Sequence, residues 1–192
     1  MAIKTFIFEN LSEKAQRHAQ VQSALREFTG VDNAEVLYTS RGKPYIKGLP
    51  EEKHISVTTA DEVMVAVFSD KPVGIDGERL STFETDEKRK KRDYIALAER
   101  FFSADEAEYV RDGGDLEPER FAKVWVRKEA YVKYTGKGLS DFSNFSVCDG
   151  IKFYGKVNGV PIRKMNLVFP GSGEYLFMIA GEDTDEETGI KK

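Results

Sequence analysis

One cysteine and two histidines in 192 residues set the first limits. Cys148 has no partner for an internal disulfide and cannot build a thiolate metal cluster. Between Val147 and Asp149 it reads as a small packing residue. His18 and His54 are too few for a zinc site of the usual kind. No apolar run approaches the ~20 residues of a membrane span. Met1 to Phe8 is a short strand-like stretch without a cleavable-signal pattern. The expectation is a cytoplasmic chain with no membrane partner. Positive charge is not in excess either: 29 Lys+Arg stand against 33 Asp+Glu, a net charge of −4. That balance argues against a nucleic-acid partner. The aromatic residues Phe101, Phe102, Phe121 and Trp125 fall at core-like positions, not in a base-stacking array.

The composition that remains, 40% hydrophobic and 32% charged, is that of a soluble globular chain. Such a length buries roughly 70% of the unfolded surface, enough for a core. Residues 3–8 read as a strand, and Ser12 as the cap of a helix to about Phe28, stopped at Thr29-Gly30. Strands follow at Glu35–Tyr38 and His54–Thr58. Val63 to Phe68 is apolar on both faces, as a central strand should be. Asp70-Lys71-Pro72 turns the chain, and Val73–Glu78 reads as the returning strand. A helical pattern then runs from Thr85 to about Glu99. A second helix opens on the capping box Ser103-Ala104-Asp105-Glu106 and stops at Asp112-Gly113-Gly114. Pro118 opens a third, closed by Gly136-Lys137-Gly138. Strand-like segments follow at Phe145–Cys148, Ile151–Val157, Met165–Phe169 and Tyr175–Ala180. The element order is α+β. It divides into an N-terminal half (1–80), a C-terminal half (81–180) and a polar, frayed tail (181–192).

Candidate chemistry begins on the returning strand. Val73, Ile75 and Gly77 share one face; Gly74, Asp76 and Glu78 share the other. The two carboxylates are roughly 6.6 Å apart along the strand and repel unless a cation sits with them. Oxygen ligands suit a hard ion such as Mg²⁺ shared with a substrate phosphate; a solvated strand end is the plainer alternative. On the third helix Phe121, Val124, Trp125 and Val132 form an apolar stripe, with Lys128 almost inside it and Glu129 at its edge. Burying either charge requires a partner. Lys133 lies one turn beyond Glu129 on the same face. These residues read either as a structural ion pair or as a third metal ligand with two cations facing a phosphate. Arg41-Gly42-Lys43-Pro44 is a basic turn, solvated or open to a ligand.

Taken together these segments resemble the 4′-phosphopantetheinyl transferases of the larger, two-repeat type. Gly74-Ile75-Asp76-Gly77-Glu78 is similar to the family's first metal-binding motif. Trp125-Val126-Arg127-Lys128-Glu129-Ala130, with Lys133 and Gly136-Lys137-Gly138-Leu139, is similar to its second. Gly42-Lys43-Pro44 and Phe101-Phe102-Ser103-Ala104-Asp105-Glu106 resemble two further family segments. The resemblance implies two similar α+β halves about a pseudo-twofold, a monomer, and transfer of the phosphopantetheine arm of coenzyme A to a serine of an apo carrier protein. Asp76, Glu78 and Glu129 would hold Mg²⁺, Glu129 would be the base, and Lys128 and Lys133 would steady the pyrophosphate. Lys43, Arg41 and Ser56 would lie on the nucleotide side.

Three departures accompany the resemblance. No His follows Ser56, where the family has one; the segment is Ser56-Val57-Thr58-Thr59-Ala60. Gly77 replaces an aliphatic residue, which removes a core contact. Only one helix separates the first strand from the Gly-Lys-Pro turn, although Arg17 on that helix could supply a phosphate contact. Weakened or altered nucleotide binding is expected. Two alternatives to transfer stand beside it: a degenerate member that binds coenzyme A or a carrier without catalysis, and a Mg²⁺-dependent phosphohydrolase. The run Lys88-Arg89-Lys90-Lys91-Arg92 reads as a solvated helix face or as a docking patch for an acidic carrier.

Overall fold

The computed structural model describes residues 3–9, 13–40, 42–83, 92–167, 173–182 and 186–190. Its strands are β1 (Ile3–Glu9), β2 (Glu35–Tyr38), β3 (Pro44–Lys47), β4 (His54–Ala60), β5 (Val63–Ser69), β6 (Gly74–Arg79), β7 (Lys156–Val157), β8 (Val160–Met165), β9 (Tyr175–Ala180) and β10 (Glu186–Ile190). Its α-helices are α1 (Lys14–Thr29), α2 (Tyr94–Phe101), α3 (Ala104–Arg111) and α4 (Glu117–Thr135). The α+β class is as expected.

Two four-stranded sheets carry the fold, in the orders β10-β1-β5-β4 and β6-β9-β8-β7, beside the small β2-β3 hairpin. Every residue of β5 is buried, because both faces of its sheet are covered. On one face Phe6, Phe8, Met64 and Phe68 pack under α1 through Val21 and Leu25. On the other, Ile7, Val65 and Val67 meet Ile75, Phe177 and Ile179 of the second sheet. The far face of that second sheet packs through Leu176, Met178 and Ala180 on Phe121, Val124 and Val132 of α4. The order of layers is therefore helix, sheet, sheet, helices.

Several expectations are corrected. β6 does not return along β5; it pairs antiparallel with β9. A turn with the right chemistry fixes a change of direction but not the partner strand. Residues 186–190 are not a frayed tail: β10 lies parallel to β1. The boundary drawn at residue 80 is thus crossed by pairing in both directions. β3 adds a strand directly after the expected basic turn. The strand expected at Met165–Phe169 does not form at Asn166 and Leu167, and Val168 and Phe169 lie outside the described residues; β8 instead ends at Met165, and Pro161 near its start concealed it. Of the strands expected at 145–157, only β7 and the single bridge Cys148–Phe153 form. Helix α2 starts at Tyr94, capped by Asp93, whose side chain accepts from the Ala96 N–H at 2.9 Å. Residues 85–91 of the expected helix, and Ser12, lie outside the described residues.

The edge strands β4 and β6 meet without a backbone ladder. The Ile75 N–H donates to Ser56 Oγ (3.0 Å) and the Gly77 N–H to Thr58 Oγ1 (3.1 Å). Two hydroxyls on alternate residues of β4 thus satisfy donors that a neighbouring strand would otherwise take. This junction sets the position of the site.

Candidate active site

Helix α4 lies against β6 more closely than a side chain would permit. A Cβ on Gly74 would stand 2.1 Å from the Ala130 carbonyl oxygen and 2.3 Å from the Tyr134 nitrogen. The hydrogen side chain of Gly74 therefore lets the helix backbone touch the strand. One pleat further on, Asp76 projects from the same face toward the next turn of α4. Trp125, Glu129 and Lys133, four residues apart, share the helix face that looks at it. Asp76, Glu78, Glu129 and Lys133 consequently line one cavity of about 340 Å³, together with Thr58 and Trp125.

Its electrostatics are those of crowded carboxylates. Asp76 is 6% exposed. Its Oδ1 accepts from Lys133 Nζ at 2.7 Å and from Thr58 Oγ1 at 3.1 Å, while Oδ2 is buried with no hydrogen-bond partner. Burial outweighs these contacts and holds the Asp76 carboxyl above its ordinary range. Burial first, and then the Asp76 charge, push Glu78 up to about 7. The same two causes, in the same order, bring Glu129 up to about 7.

Among the described residues, no group of three His, Cys, Asp or Glu side chains stands ready-made to hold a metal ion. Asp76, Glu78 and Glu129 share a cavity, with the Lys133 ammonium as the cation at Asp76. The donor set nevertheless fits a hard divalent ion. It is all oxygen, it contains an orphaned buried Oδ2, and burial and the Asp76 charge push two of its carboxyls up to about 7.

A second cavity of about 440 Å³ adjoins the first and shares Val57, Glu129 and Lys133 with it. Gly42, Lys43, Pro44, Ser56 and the segment from Gly136 to Leu139 form its other walls. Gly136 closes α4 in the left-handed region (φ 75°), and a Cβ there would stand 2.9 Å from Lys43 Nζ. The helix end and the β2-β3 turn thus interlock, with Lys43, Lys133 and Lys137 around one space. One cleft therefore has a carboxylate end and an ammonium end.

Of the residues expected at the site, Asp76, Glu78, Glu129, Lys133, Lys43 and Ser56 are brought to this cleft. The Ser56 hydroxyl is buried and engaged with Ile75, so it acts as a stitch between β4 and β6. Arg41 lies outside the described residues, as do Lys88 to Lys91 of the basic run. Arg17 lines neither cavity.

Lys128 is not at the cleft. One residue on from Lys128 is a rotation of about 100° on a helix, so Glu129 faces the cleft while Lys128 faces the core. The Lys128 ammonium is fully buried and pairs with Glu106 at 2.8 Å. It also donates to the carbonyls of Phe142 (2.8 Å) and Phe145 (2.5 Å). Its three donors are spent. Glu106 is equally buried and accepts from the N–H groups of Ser103 (2.9 Å) and Val147 (2.6 Å). The pyrophosphate role expected of Lys128 is replaced by a structural one.

Gly77 is also accounted for. A Cβ there would lie 2.0 Å from the Phe177 ring, so the aromatic ring of β9 fills the volume an aliphatic side chain would take. Thr58, Trp125 and Lys137 also line the cleft, although the sequence assigned none of them a role there. Thr58 shares a face of β4 with Ser56, which was the available signal.

Residues 72–166 match the model of the 4′-phosphopantetheinyl transferase superfamily, a span that includes the carboxylate strand and all of α4. Over that span, just under half of the chain, it is similar to this superfamily. A 4′-phosphopantetheinyl transferase of Bacillus subtilis is 31% identical over 131 residues, which cover 66% of this chain and 54% of the relative. The 4′-phosphopantetheinyl transferase psf-1 of Bacillus pumilus is 28% identical over 123 residues, 62% of this chain and 48% of the relative. The 4′-phosphopantetheinyl transferase Sfp of Bacillus subtilis (strain 168) is 26% identical over 160 residues, 74% and 66% of the two chains. The phosphopantetheinyl transferase match thus spans about half the length of the first two relatives. Among the described residues, no helix is long and apolar enough to cross a membrane.

Proposed function

We propose that this chain transfers the 4′-phosphopantetheine arm of coenzyme A to a serine of an apo acyl or peptidyl carrier protein, releasing 3′,5′-ADP. The observation that carries the reading is the continuous cleft, in which Glu129 and Lys133 belong both to the carboxylate end and to the lysine end. A nucleotide diphosphate needs such a site, with cations for its phosphates and oxygen ligands for a shared divalent ion.

On this reading Asp76, Glu78 and Glu129 hold Mg²⁺. When bound, the ion neutralises charge on the diphosphate. Glu129, at the junction of the two cavities, is the candidate base for the serine proton. The serine oxygen forms its bond to the β-phosphorus as the bond to the bridging oxygen breaks, and the electron pair leaves with 3′,5′-ADP. Lys133 stabilises that departing charge, and Lys43 and Lys137 hold the nucleotide phosphates. This reading takes the two four-stranded sheets, each with a helix across its outer face, as the halves that a pseudo-twofold would relate. A cytoplasmic monomer accords with this duplicated plan.

A second reading, binding of coenzyme A or carrier without transfer, is favoured by the missing His after Ser56. Intact-mass measurement of an apo carrier incubated with this chain, coenzyme A and Mg²⁺ separates the two. The phosphopantetheine mass gain, abolished in Glu129→Gln, is expected. Retained coenzyme A binding with no gain would favour the second reading, and hydrolysis without transfer would point to a phosphohydrolase.

A further inference from the structure

Lys133 stands in an awkward place for a residue whose proposed partner is a phosphate. Its ammonium is 2.7 Å from Asp76 Oδ1 and donates at 3.4 Å to the Val57 carbonyl. It is the only cationic side chain lining the carboxylate cavity among the described residues, and it also lines the lysine-walled cavity next door. Its side chain is 31% exposed. It is therefore not locked in the core as Lys128 is, and a four-carbon stem can swing between two adjoining spaces.

A divalent ion and an ammonium cannot both sit at contact distance from one carboxylate without strong mutual repulsion. Asp76 has one oxygen paired with Lys133 and one buried oxygen with no partner. We infer that Lys133 is a placeholder cation: it neutralises Asp76 in the ion-free protein, is displaced when a divalent ion binds, and turns into the adjoining cavity to meet the phosphates of the nucleotide. The inference rests on the proposed function for the identity of the ion site. It adds that one side chain couples the two ligands. Each ligand then raises the affinity for the other, because either one shifts Lys133 toward the position that the other requires.

Titration with Mn²⁺ in the absence of coenzyme A tests this. Lys133→Met has no ion pair to break and leaves the carboxylates less compensated, so it should bind Mn²⁺ at least about threefold more tightly than the parent, a modest coupling by usual measures. Equal or weaker binding overturns the placeholder. Should that variant fail to fold, the parent chain supplies the answer. Lys133 acetylation by acetic anhydride, followed by peptide mass spectrometry, should be slow without ion, faster with Mn²⁺, and slow again with Mn²⁺ plus coenzyme A. A Lys133 reactivity indifferent to Mn²⁺ also overturns the inference. Failure of the parent to bind Mn²⁺ at all would remove the metal-dependent reading and the placeholder together, whereas an unchanged variant affinity removes the placeholder alone.

Discussion

Adjacent residues of α4 have opposite fates, and their energetics differ accordingly. Lys128 is fully buried with all three donors engaged, and burial pulls its pKa below the ordinary lysine value against the Glu106 charge. Removing one member of such a pair leaves an uncompensated charge in the core. Lys128→Met should therefore cost about 3–5 kcal/mol in urea unfolding, with no direct loss of a phosphate contact. A variant of parental stability that no longer binds coenzyme A would return Lys128 to the cleft. Glu78 makes the opposite case. Its carboxyl is held at about 7, above the ordinary 4.5, so the native state binds more protons than the unfolded state between those pH values. Stability of the ion-free protein then falls as pH rises through that window. Glu78→Gln removes this loss: in EDTA its melting temperature should exceed the parent's at pH 8 and not at pH 4.5. A stability difference independent of pH would contradict the assigned cause. The buried Lys128 could be read from the sequence as needing a partner, but its partner could not. Glu106 already had a role as the capping residue of α3, and nothing local indicates that the oxygen accepting from Ser103 also meets Lys128.

At the scale of elements, the helix and the strand that carry the chemistry were legible, but their neighbours were not. Pro118 and Gly136 delimit α4, and the alternation along β6 separates Ile75 from Asp76, all of it local chemistry. Which strand β6 pairs with depends on β9, a hundred residues later, and no local pattern states it. The approach of α4 to β6 rests on Gly74. Gly74 shares the strand face of the carboxylates, and helix backbone fills the space its missing side chain leaves. Gly74→Ala must push α4 outward. Overpacking of this kind costs about 1–3 kcal/mol or more, and it separates Glu129 from Asp76. The expected result is a lower melting temperature together with at least tenfold weaker Mn²⁺ binding. Loss of stability with ion affinity intact would show that the carboxylates do not depend on this contact. The β4-β6 junction shows the same limit, since Ser56 and Thr58 are hydroxyls whose use depends on which backbone arrives beside them.

For the whole molecule, the cleft results from two sheets meeting at edges that do not ladder. β4 brings Ser56 and Thr58, β6 brings Asp76 and Glu78, and α4 crosses the junction with Glu129 and Lys133. The β2-β3 turn then closes the far end with Lys43 over Gly136. Composition could not foretell this arrangement: the net charge of −4 conceals a site whose two ends carry opposite charge. The return of β10 to β1 ties the end of the described chain to its first strand, across the expected halves. The account stands on one convergence, that of Asp76, Glu78 and Glu129 on a divalent ion beside a nucleotide diphosphate. Crystals grown with Mn²⁺ and coenzyme A test it most directly, through the anomalous signal of the metal. The account predicts a single strong peak within coordination distance of those three carboxylates, with the diphosphate extending from it toward Lys43. A peak elsewhere, or coenzyme A bound with the three carboxylates turned away from the metal, would contradict it.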